Sequence, residues 1–325
     1  MNPEPSWDPL GYANDLALRE TFYPLGFSLH IETNSPHVLA SARLSWPRSD
    51  AAFPDPPLRL RVIVSGAGTN GGLRAAPVAR AQNHLLTLVA GRDDFAACDM
   101  ERGFAYVVVP EQTVHDSRHF RFYYLECLIY TLLTWHRLTA IHAGCVSDGK
   151  SAVLFCGKSG AGKSCLAYAC ARDGLQFVSD DAVYLIRNDP AGMLLGKPRW
   201  LRLKPSAVEL FPELRAHTAA LDVNGETVLE LATTQISGLT TCESARGHRV
   251  VFLERQPEAA IPSVEQLRPE EALDLLVREL PLWDREVSRE HTASIRKLVA
   301  AGAHRLTYSD LGQAVEEVKR LLGQA

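Results

Sequence analysis

Eight consecutive residues near the middle of the chain have the types and spacing of a phosphate-binding loop. They fit the pattern G-x-x-x-x-G-K-[ST] and read Gly-Lys-Ser-Gly-Ala-Gly-Lys-Ser. The glycines let backbone N–H groups close around phosphate oxygens, and the lysine adds a positive charge near the β- and γ-phosphates. We therefore expect the phosphates of a nucleotide to bind at Gly157, Lys158, Ser159, Gly160, Ala161, Gly162, Lys163 and Ser164.

The residues on either side of this loop predict the strand and the helix that such a loop requires. Ala152 to Cys156 is a short apolar run, typical of a buried strand. Cys165 to Ala171 lacks Gly and Pro and suits a helix, which Gly174 would end. The N-terminus of a helix in this position favours an anion. A glycine-rich turn that binds nothing is the alternative, and the order of strand, loop and helix favours the phosphate site.

Two adjacent carboxylates follow the predicted helix. Gln176 to Ser179 reads as a strand, and Asp180 and Asp181 come directly after it. Side chains at a strand end beside a phosphate loop can reach a metal ion or the γ-phosphate. We expect the Ser164 hydroxyl and one carboxylate, assigned to Asp180, to hold Mg²⁺ directly or through water. The alternative for the pair is a capped turn.

A histidine before the loop completes a pattern that resembles a known family. The stretch from residue 140 to residue 185 resembles the kinase domain of HPr kinase/phosphorylase and its relatives, a P-loop group structurally akin to phosphoenolpyruvate carboxykinase. The match consists of His142-Ala143, the Gly-x-Ser-Gly-x-Gly-Lys-Ser loop and the Asp-Asp pair. The resemblance implies an α/β P-loop kinase domain that uses ATP and Mg²⁺.

The resemblance also implies roles for individual side chains. Asp181 would be the proton acceptor that activates a hydroxyl, and His142 would tune its charge or stabilise the group in transfer. Lys163 would neutralise phosphate charge and is a catalytic candidate beside Asp181 and His142. Arg202 is the fourth, because a cation on this predicted strand could contact the γ-phosphate or an acidic acceptor. A solvated strand face is an equal alternative for Arg202.

The sequence departs from the family pattern in one respect. HPr kinase/phosphorylase has a glycine-rich signature with a glutamate in roughly the region that is 196–205 here, and that signature is absent from this chain. In the family it is tied to both phosphorylation and dephosphorylation. The resemblance therefore implies kinase activity without phosphorylase activity, and HPr itself is not the favoured substrate.

Three functions remain open on the sequence alone. The first is an ATP-dependent kinase that phosphorylates a hydroxyl, taken as a serine of a protein or of a ribosomally made peptide. The second is a small-molecule kinase of the same fold, or a carboxykinase-like enzyme. The third is a regulatory protein that binds the nucleotide without transferring phosphate. The presence of Lys163, Ser164, Asp181 and His142 favours catalysis over binding alone.

Composition narrows the class of protein. The chain has 325 residues, of which 46% are hydrophobic and 22% charged, and its net charge is −4. This balance is ordinary for a globular protein and argues against a general nucleic-acid binder. The most apolar segment, 122–135, contains Glu126 and is shorter than the ~20 residues that a membrane span needs. We expect a cytoplasmic homo-oligomer that associates with neither membrane nor nucleic acid.

The pattern of elements divides the chain near residue 138. Residues 1–138 predict a run of strands followed by one helix, hence an α+β domain for recognition or assembly. By the resemblance, residues 139–325 would form the HPr kinase-like P-loop domain. In the first part, residues 1–20 are interpreted as a loose lead-in or a short helix, and Gly66 to Gly72 as a hairpin or linker. Strands are predicted at 25–31, 58–64, 84–89, 95–99 and 104–109, and a helix at 118–137.

Overall fold

The computed structural model of the protein describes residues 16–66, 76–258, 261–281 and 284–323. The chain falls into two compact units, Met1–His136 and Arg137–Ala325. The predicted hairpin or linker at 66–72 lies outside the described residues from position 67 onward, as does the predicted lead-in up to position 15.

The first unit is built on a mixed sheet. Its strands are β1 (Leu18–Phe22), β2 (Leu29–Thr33), β3 (Leu58–Ser65), β4 (Val78–Gln82), β5 (Leu85–Ala90), β6 (Asp94–Asp99) and β7 (Phe104–Pro110). They lie in the order β1-β2-β3-β7-β6-β5-β4. The pairs β2–β3 and β3–β7 are parallel and the others antiparallel. Helix α1 (Pro36–Ser45) connects β2 to β3, since parallel neighbours need a crossover.

A helical run follows the sheet. It consists of α2 (Glu111–His115), α3 (Ser117–Phe120), a π-helical segment (Arg121–Glu126) and α4 (Cys127–His136). The helix predicted at 118–137 therefore exists, with π-helical geometry in its middle. Leu128, Leu132 and Leu133 are fully buried, as the apolar composition of this segment predicts. In the described ranges, no helix combines the length and the apolar character that crossing a bilayer requires.

The start of the first unit differs from the prediction. The strand predicted from Leu25 begins only at Leu29, because Pro24–Gly26 forms a 3-10 turn in which Leu25 has a φ of +52°. Residues 18–20, predicted as part of a lead-in, belong to strand β1, which pairs with β2 along its whole length. Helix α1 is not predicted at all, since its ten residues carry only a weak apolar stripe.

The described residues of the second unit form three sheets and four α-helices. The strands are β8 (Leu138–Ile141), β9 (Gly144–Ser147), β10 (Ala152–Cys156), β11 (Gln176–Ser179), β12 (Val183–Ile186), β13 (Leu194–Leu195), β14 (Trp200–Leu203), β15 (Ala220–Leu221), β16 (Thr227–Ala232), β17 (Ser244–Ala245), β18 (His248–Arg255), β19 (Ser263–Gln266) and β20 (Ala303–Tyr308). The helices are α5 (Lys163–Arg172), α6 (Pro269–Val277), α7 (Arg285–Ala300) and α8 (Leu311–Gly323).

The largest sheet of this unit has six strands in the order β11-β9-β10-β18-β20-β19. Its central strands β10, β18 and β20 are parallel, and the outer pairings are antiparallel. The other strands form a four-stranded sheet, β17-β13-β12-β8, and a three-stranded sheet, β14-β16-β15. The observed architecture is thus a mixed α/β unit with several sheets.

Strand β10 is apolar throughout because both faces of the sheet are covered. Val153 and Phe155 belong to one core, which also includes side chains of α5 and α8. Leu154 and Cys156 belong to a second core, which includes side chains of α6 and α7. A parallel strand buried on both faces reads as a continuous hydrophobic run rather than an alternating one. The predicted buried strand at 152–156 is therefore confirmed, with the same bounds.

Candidate active site

The glycine-rich loop joins the end of β10 to the start of α5, in the order that the sequence predicts. Gly157, Gly160 and Gly162 have φ angles of +139°, +84° and +97°, in the region that favours glycine. Gly162 is the N-cap of α5, so the first N–H groups of that helix lack partners within it. A Cβ at Gly160 would meet open space. The loop thus leaves the space beside Gly160 open, close to a helix N-terminus.

Lys163 points back into this loop. Its Nζ donates to the carbonyl oxygen of Gly157 at 2.7 Å and lies 3.4 Å from that of Lys158. Burial lowers the pKa of Lys163, and the negative charges of Glu279 and Asp181 oppose that shift. The ammonium group is therefore held against the loop backbone, at the place where phosphate charge would need a counter-charge.

Tyr308, at the end of β20, fixes the other side of the loop. Its hydroxyl donates to the carbonyl oxygen of Ala161 at 3.0 Å. Burial raises the pKa of Tyr308 to about 12, so the hydroxyl keeps the proton that it donates. A Cβ built on Gly162 would lie only 2.4 Å from this hydroxyl oxygen. Gly162 is thus required by its backbone angle and also by the tyrosine beside it.

Replacing Gly162 by alanine should destabilise the protein more than replacing Gly160. Both alanines would adopt a positive φ, which costs roughly 1–2 kcal/mol. Only the first would also collide with Tyr308, and overpacking typically adds about 1–3 kcal/mol. Thermal unfolding of Gly162→Ala, with Gly160→Ala as the matched control, measures the difference. Adding Tyr308→Phe to Gly162→Ala should recover part of the loss. Equal destabilisation by the two alanines would contradict the predicted collision.

Asp180 lies buried at the end of β11, next to the first turn of α5. Its Oδ2 accepts the backbone N–H of Arg202 at 2.7 Å, and its carbonyl oxygen accepts the Ser164 hydroxyl at 3.3 Å. Burial raises the pKa of Asp180 to about 6, although the hydrogen bond from the Arg202 backbone opposes the shift. The structure therefore brings together the two residues that the sequence assigns to the metal, Ser164 and Asp180.

Arg202 contacts Asp180 through its main-chain N–H, while its guanidinium pairs with another carboxylate. Strand β14 alternates as predicted, since Leu201 and Leu203 are buried and Arg202 is exposed. The guanidinium pairs with Glu230, which is directly opposite on β16. The Arg202 Nε and Nη2 atoms each lie 2.8 Å from Glu230 Oε1. The predicted contact of this guanidinium with phosphate competes with that ion pair.

Asp181 and His142 contact each other, as their assigned roles require. His142 Nε2 lies 3.1 Å from Asp181 Oδ1. The hydrogen bond from His142 lowers the pKa of Asp181, and the charges of Lys197 and Lys163 act in the same direction. The Asp181 side chain is 72% exposed, so a substrate can approach it. The two adjacent aspartates thus have opposite environments: Asp180 is buried and Asp181 is accessible and kept ionised.

Glu279 is a further acidic residue at this site that the sequence does not single out. Its Oε2 lies 3.9 Å from His142 Nδ1, and its charge acts on Lys163. It lies just after α6, far along the chain from the loop, and no motif surrounds it. No local sequence pattern marks it as a site residue.

The donor set fits Mg²⁺ bound together with a nucleotide. Within the described ranges, no three or more His, Cys, Asp or Glu side chains come together as a metal site. Mg²⁺ usually keeps several waters and takes one or two carboxylates plus substrate phosphates, not a cage made only of protein groups. Ser164 and Asp180 meet through the hydrogen bond from the Ser164 hydroxyl to the Asp180 main-chain carbonyl oxygen, and one hydroxyl and one carboxylate are the kinds of ligand that this sparse requirement calls for.

Comparison with known proteins assigns the chain to no family. No protein-family model matches the chain, and no curated protein matches it. Among solved structures, the Hpr(Ser) kinase/phosphatase from Coxiella burnetii matches 57% of this chain and 99% of its own, with 14% sequence identity and a TM-score of 0.31. It is a weak structural neighbour, and a similarity at that level supports no statement about what this chain does.

Proposed function

We propose that the protein is an ATP-dependent kinase that transfers the γ-phosphate to a hydroxyl group, taken as a serine of a protein or of a ribosomally made peptide. One observation carries the proposal. The glycine loop that holds Lys163 is followed by two aspartates in opposite environments: Asp180 is buried and bonded to Ser164 through its main-chain carbonyl, and Asp181 is exposed with its carboxylate against His142. Phosphoryl transfer needs mainly positioning and charge stabilisation, together with a group that accepts the hydroxyl proton.

The donor side of the proposal uses the loop and its lysine. Backbone N–H groups of residues 157–164 bind the phosphates, and the Lys163 ammonium neutralises charge on the β- and γ-phosphates. Ser164 and Asp180 hold Mg²⁺ directly or through water. Mg²⁺ held by these residues would supply positive charge against the charge that develops on the transferring phosphate.

The acceptor side uses Asp181 and His142. As the hydroxyl oxygen forms its bond to the γ-phosphorus, the bond from that phosphorus to the leaving ADP oxygen breaks, and the hydroxyl proton passes to Asp181. A positioned base of this kind is worth ~10²–10⁴-fold in rate. The hydrogen bond with His142 keeps Asp181 in the form that can accept the proton.

The exposed fraction of each aspartate supports this division of roles. Asp180 has the higher pKa, about 6, which would make it the stronger base. It is nevertheless only 7% exposed, and its Oδ2 already accepts the Arg202 N–H. A base must come within hydrogen-bond reach of the proton that it abstracts. Asp181 meets that condition because its side chain is accessible.

The same proposal gives the first unit a role in acceptor recognition or in assembly. All the residues proposed here to bind phosphate or metal or to take part in transfer lie between His142 and Arg202, within the second unit.

Phosphate transfer from labelled ATP tests the proposed function. The full chain with Mg²⁺ should pass the γ-phosphate of ATP to serine-containing proteins or peptides, and phosphoamino-acid analysis should recover phosphoserine. Omitting Mg²⁺ and adding a chelator should abolish the transfer. Label that enters only polyhydroxylated small molecules would make the protein a small-molecule kinase. Stoichiometric ATP binding without transfer to any acceptor would make it a nucleotide-binding regulator.

A further inference from the structure

We propose that Glu279 is a positioning residue of this site, whose carboxylate holds the His142 ring in the orientation that presents Nε2 to Asp181. The catalytic consequence of this inference rests on the proposed kinase function, whereas the orientation of the ring does not. Neither the loop motif nor the resemblance to a known family points to Glu279.

The contacts of His142 with two carboxylates carry the inference. An imidazole ring has only two polar atoms, Nδ1 and Nε2. Nε2 lies 3.1 Å from Asp181 Oδ1, and Nδ1 lies 3.9 Å from Glu279 Oε2. The second distance is too long for a hydrogen bond, so Glu279 acts on the ring through its charge, as an ion pair when the ring is protonated. Rotating the ring by half a turn would put carbon atoms against both carboxylates and lose both interactions.

The backbone around Glu279 is anchored, which gives its carboxylate a defined place. The Glu279 N–H donates to the carbonyl oxygen of Leu276 at 3.2 Å. Leu276 is buried in the core on one face of the central sheet, and Leu280 packs against the same core. A side chain that extends from such a turn starts from a fixed Cα position.

The surroundings of Glu279 favour a role in the site over a solvated surface position. Its side chain is 38% exposed, so part of its charge is removed from water. Its carboxylate lies within ion-pair distance of the His142 ring. The carboxylate is thus placed to act on the ring nitrogen of His142 that does not face Asp181.

Replacing Glu279 by glutamine tests the inference, since it removes the charge and keeps the size. Glu270→Gln is the matched control, because Glu270 is an exposed glutamate in the first turn of α6. The first measurement is nitrogen NMR of the full chain labelled at histidine, with the His142 signals assigned by their loss in His142→Gln. We expect Glu279→Gln to shift the His142 ring-nitrogen resonances and Glu270→Gln to leave them unchanged.

Steady-state kinetics give the second measurement. Glu279→Gln should lower kcat by ~10-fold, the low end of what losing an orienting partner costs at other sites, and leave KM for ATP nearly unchanged. Glu279→Asp keeps the charge, so its kcat should lie closer to that of the wild type. If the glutamine variant does not fold by circular dichroism, Glu279→Asp replaces it in the NMR measurement, where the shorter side chain should shift the His142 resonances.

The two measurements separate the two proposals. Unchanged His142 resonances in a folded Glu279 variant would overturn the positioning role, whatever the activity. A loss that appears only as a raised KM for ATP would also overturn it. Shifted resonances in a protein that transfers no phosphate would support the positioning of His142 while removing the proposed kinase function.

Discussion

Lys163→Ala should reduce phosphate transfer from ATP by ~10²–10³-fold, the range seen when a group that stabilises transition-state charge is removed. The ammonium lies inside the glycine loop, 2.7 Å from the Gly157 carbonyl oxygen, and alanine leaves no cation there. Affinity for ATP should fall as well, because the lysine interacts with bound phosphates before transfer begins. Single-turnover kinetics and equilibrium ATP binding together measure both losses.

Two comparisons make the Lys163 result specific. Lys150→Ala removes the same charge from an exposed turn between β9 and β10, and it should leave transfer and binding near wild-type values. Thermal unfolding shows whether Lys163→Ala has merely loosened the loop, since the lysine also bonds to its backbone. Wild-type transfer by a folded Lys163→Ala protein would refute the assignment of this loop to phosphate binding.

Asp181→Asn should lower turnover by ~10²-fold or more while ATP binding stays nearly intact. Asparagine keeps a side-chain oxygen that can accept the hydrogen bond from His142, so the ring should keep its place. What is lost is the ability to take the proton from the acceptor hydroxyl. Rapid-mixing measurement of the transfer step, alongside nucleotide binding, separates these effects.

Comparing Asp180→Asn with Asp181→Asn tests which aspartate holds the metal. If Asp180 holds Mg²⁺, its replacement should raise the Mg²⁺ concentration needed for half-maximal activity, whereas Asp181→Asn should not. Asp274→Asn, at an exposed position on α6, controls for the loss of one carboxylate. The opposite pattern, in which Asp181→Asn changes the Mg²⁺ requirement and Asp180→Asn changes only turnover, would exchange the two roles.

The parts of the site that lie close together in sequence could be predicted. Strand β10 has the predicted bounds, and α5 extends the predicted helix by one residue at its C-terminal end and two at its N-terminal end. The contact between His142 and Asp181 was also expected from their assigned roles. Local apolar runs, glycine positions and helix signals are encoded within a few residues of each other, so they can be recognised in a single sequence.

The parts that depend on the tertiary fold could not be predicted. Tyr308 and Glu279 reach the loop from elements far along the chain, and neither sits in a recognisable motif. Arg202 was correctly placed on an exposed strand face, but its pairing with Glu230 depends on the register between β14 and β16. Strand pairing between distant segments leaves no short-range pattern to read.

The hydrogen bond between Tyr308 and Ala161 also determines when the loop can take its final shape during protein synthesis. The two residues are 147 positions apart, so the strand that carries Tyr308 leaves the ribosome well after the loop does. At translation speeds of ≈ 5–20 residues per second, the loop sequence emerges about 7 to 30 s before the tyrosine that holds it. During that interval a nascent chain carries the motif without the contact that fixes its shape. The loop can therefore take its final shape only after β20 has been made. A chain whose translation stops before β20 would contain every residue of the loop without this constraint on its shape.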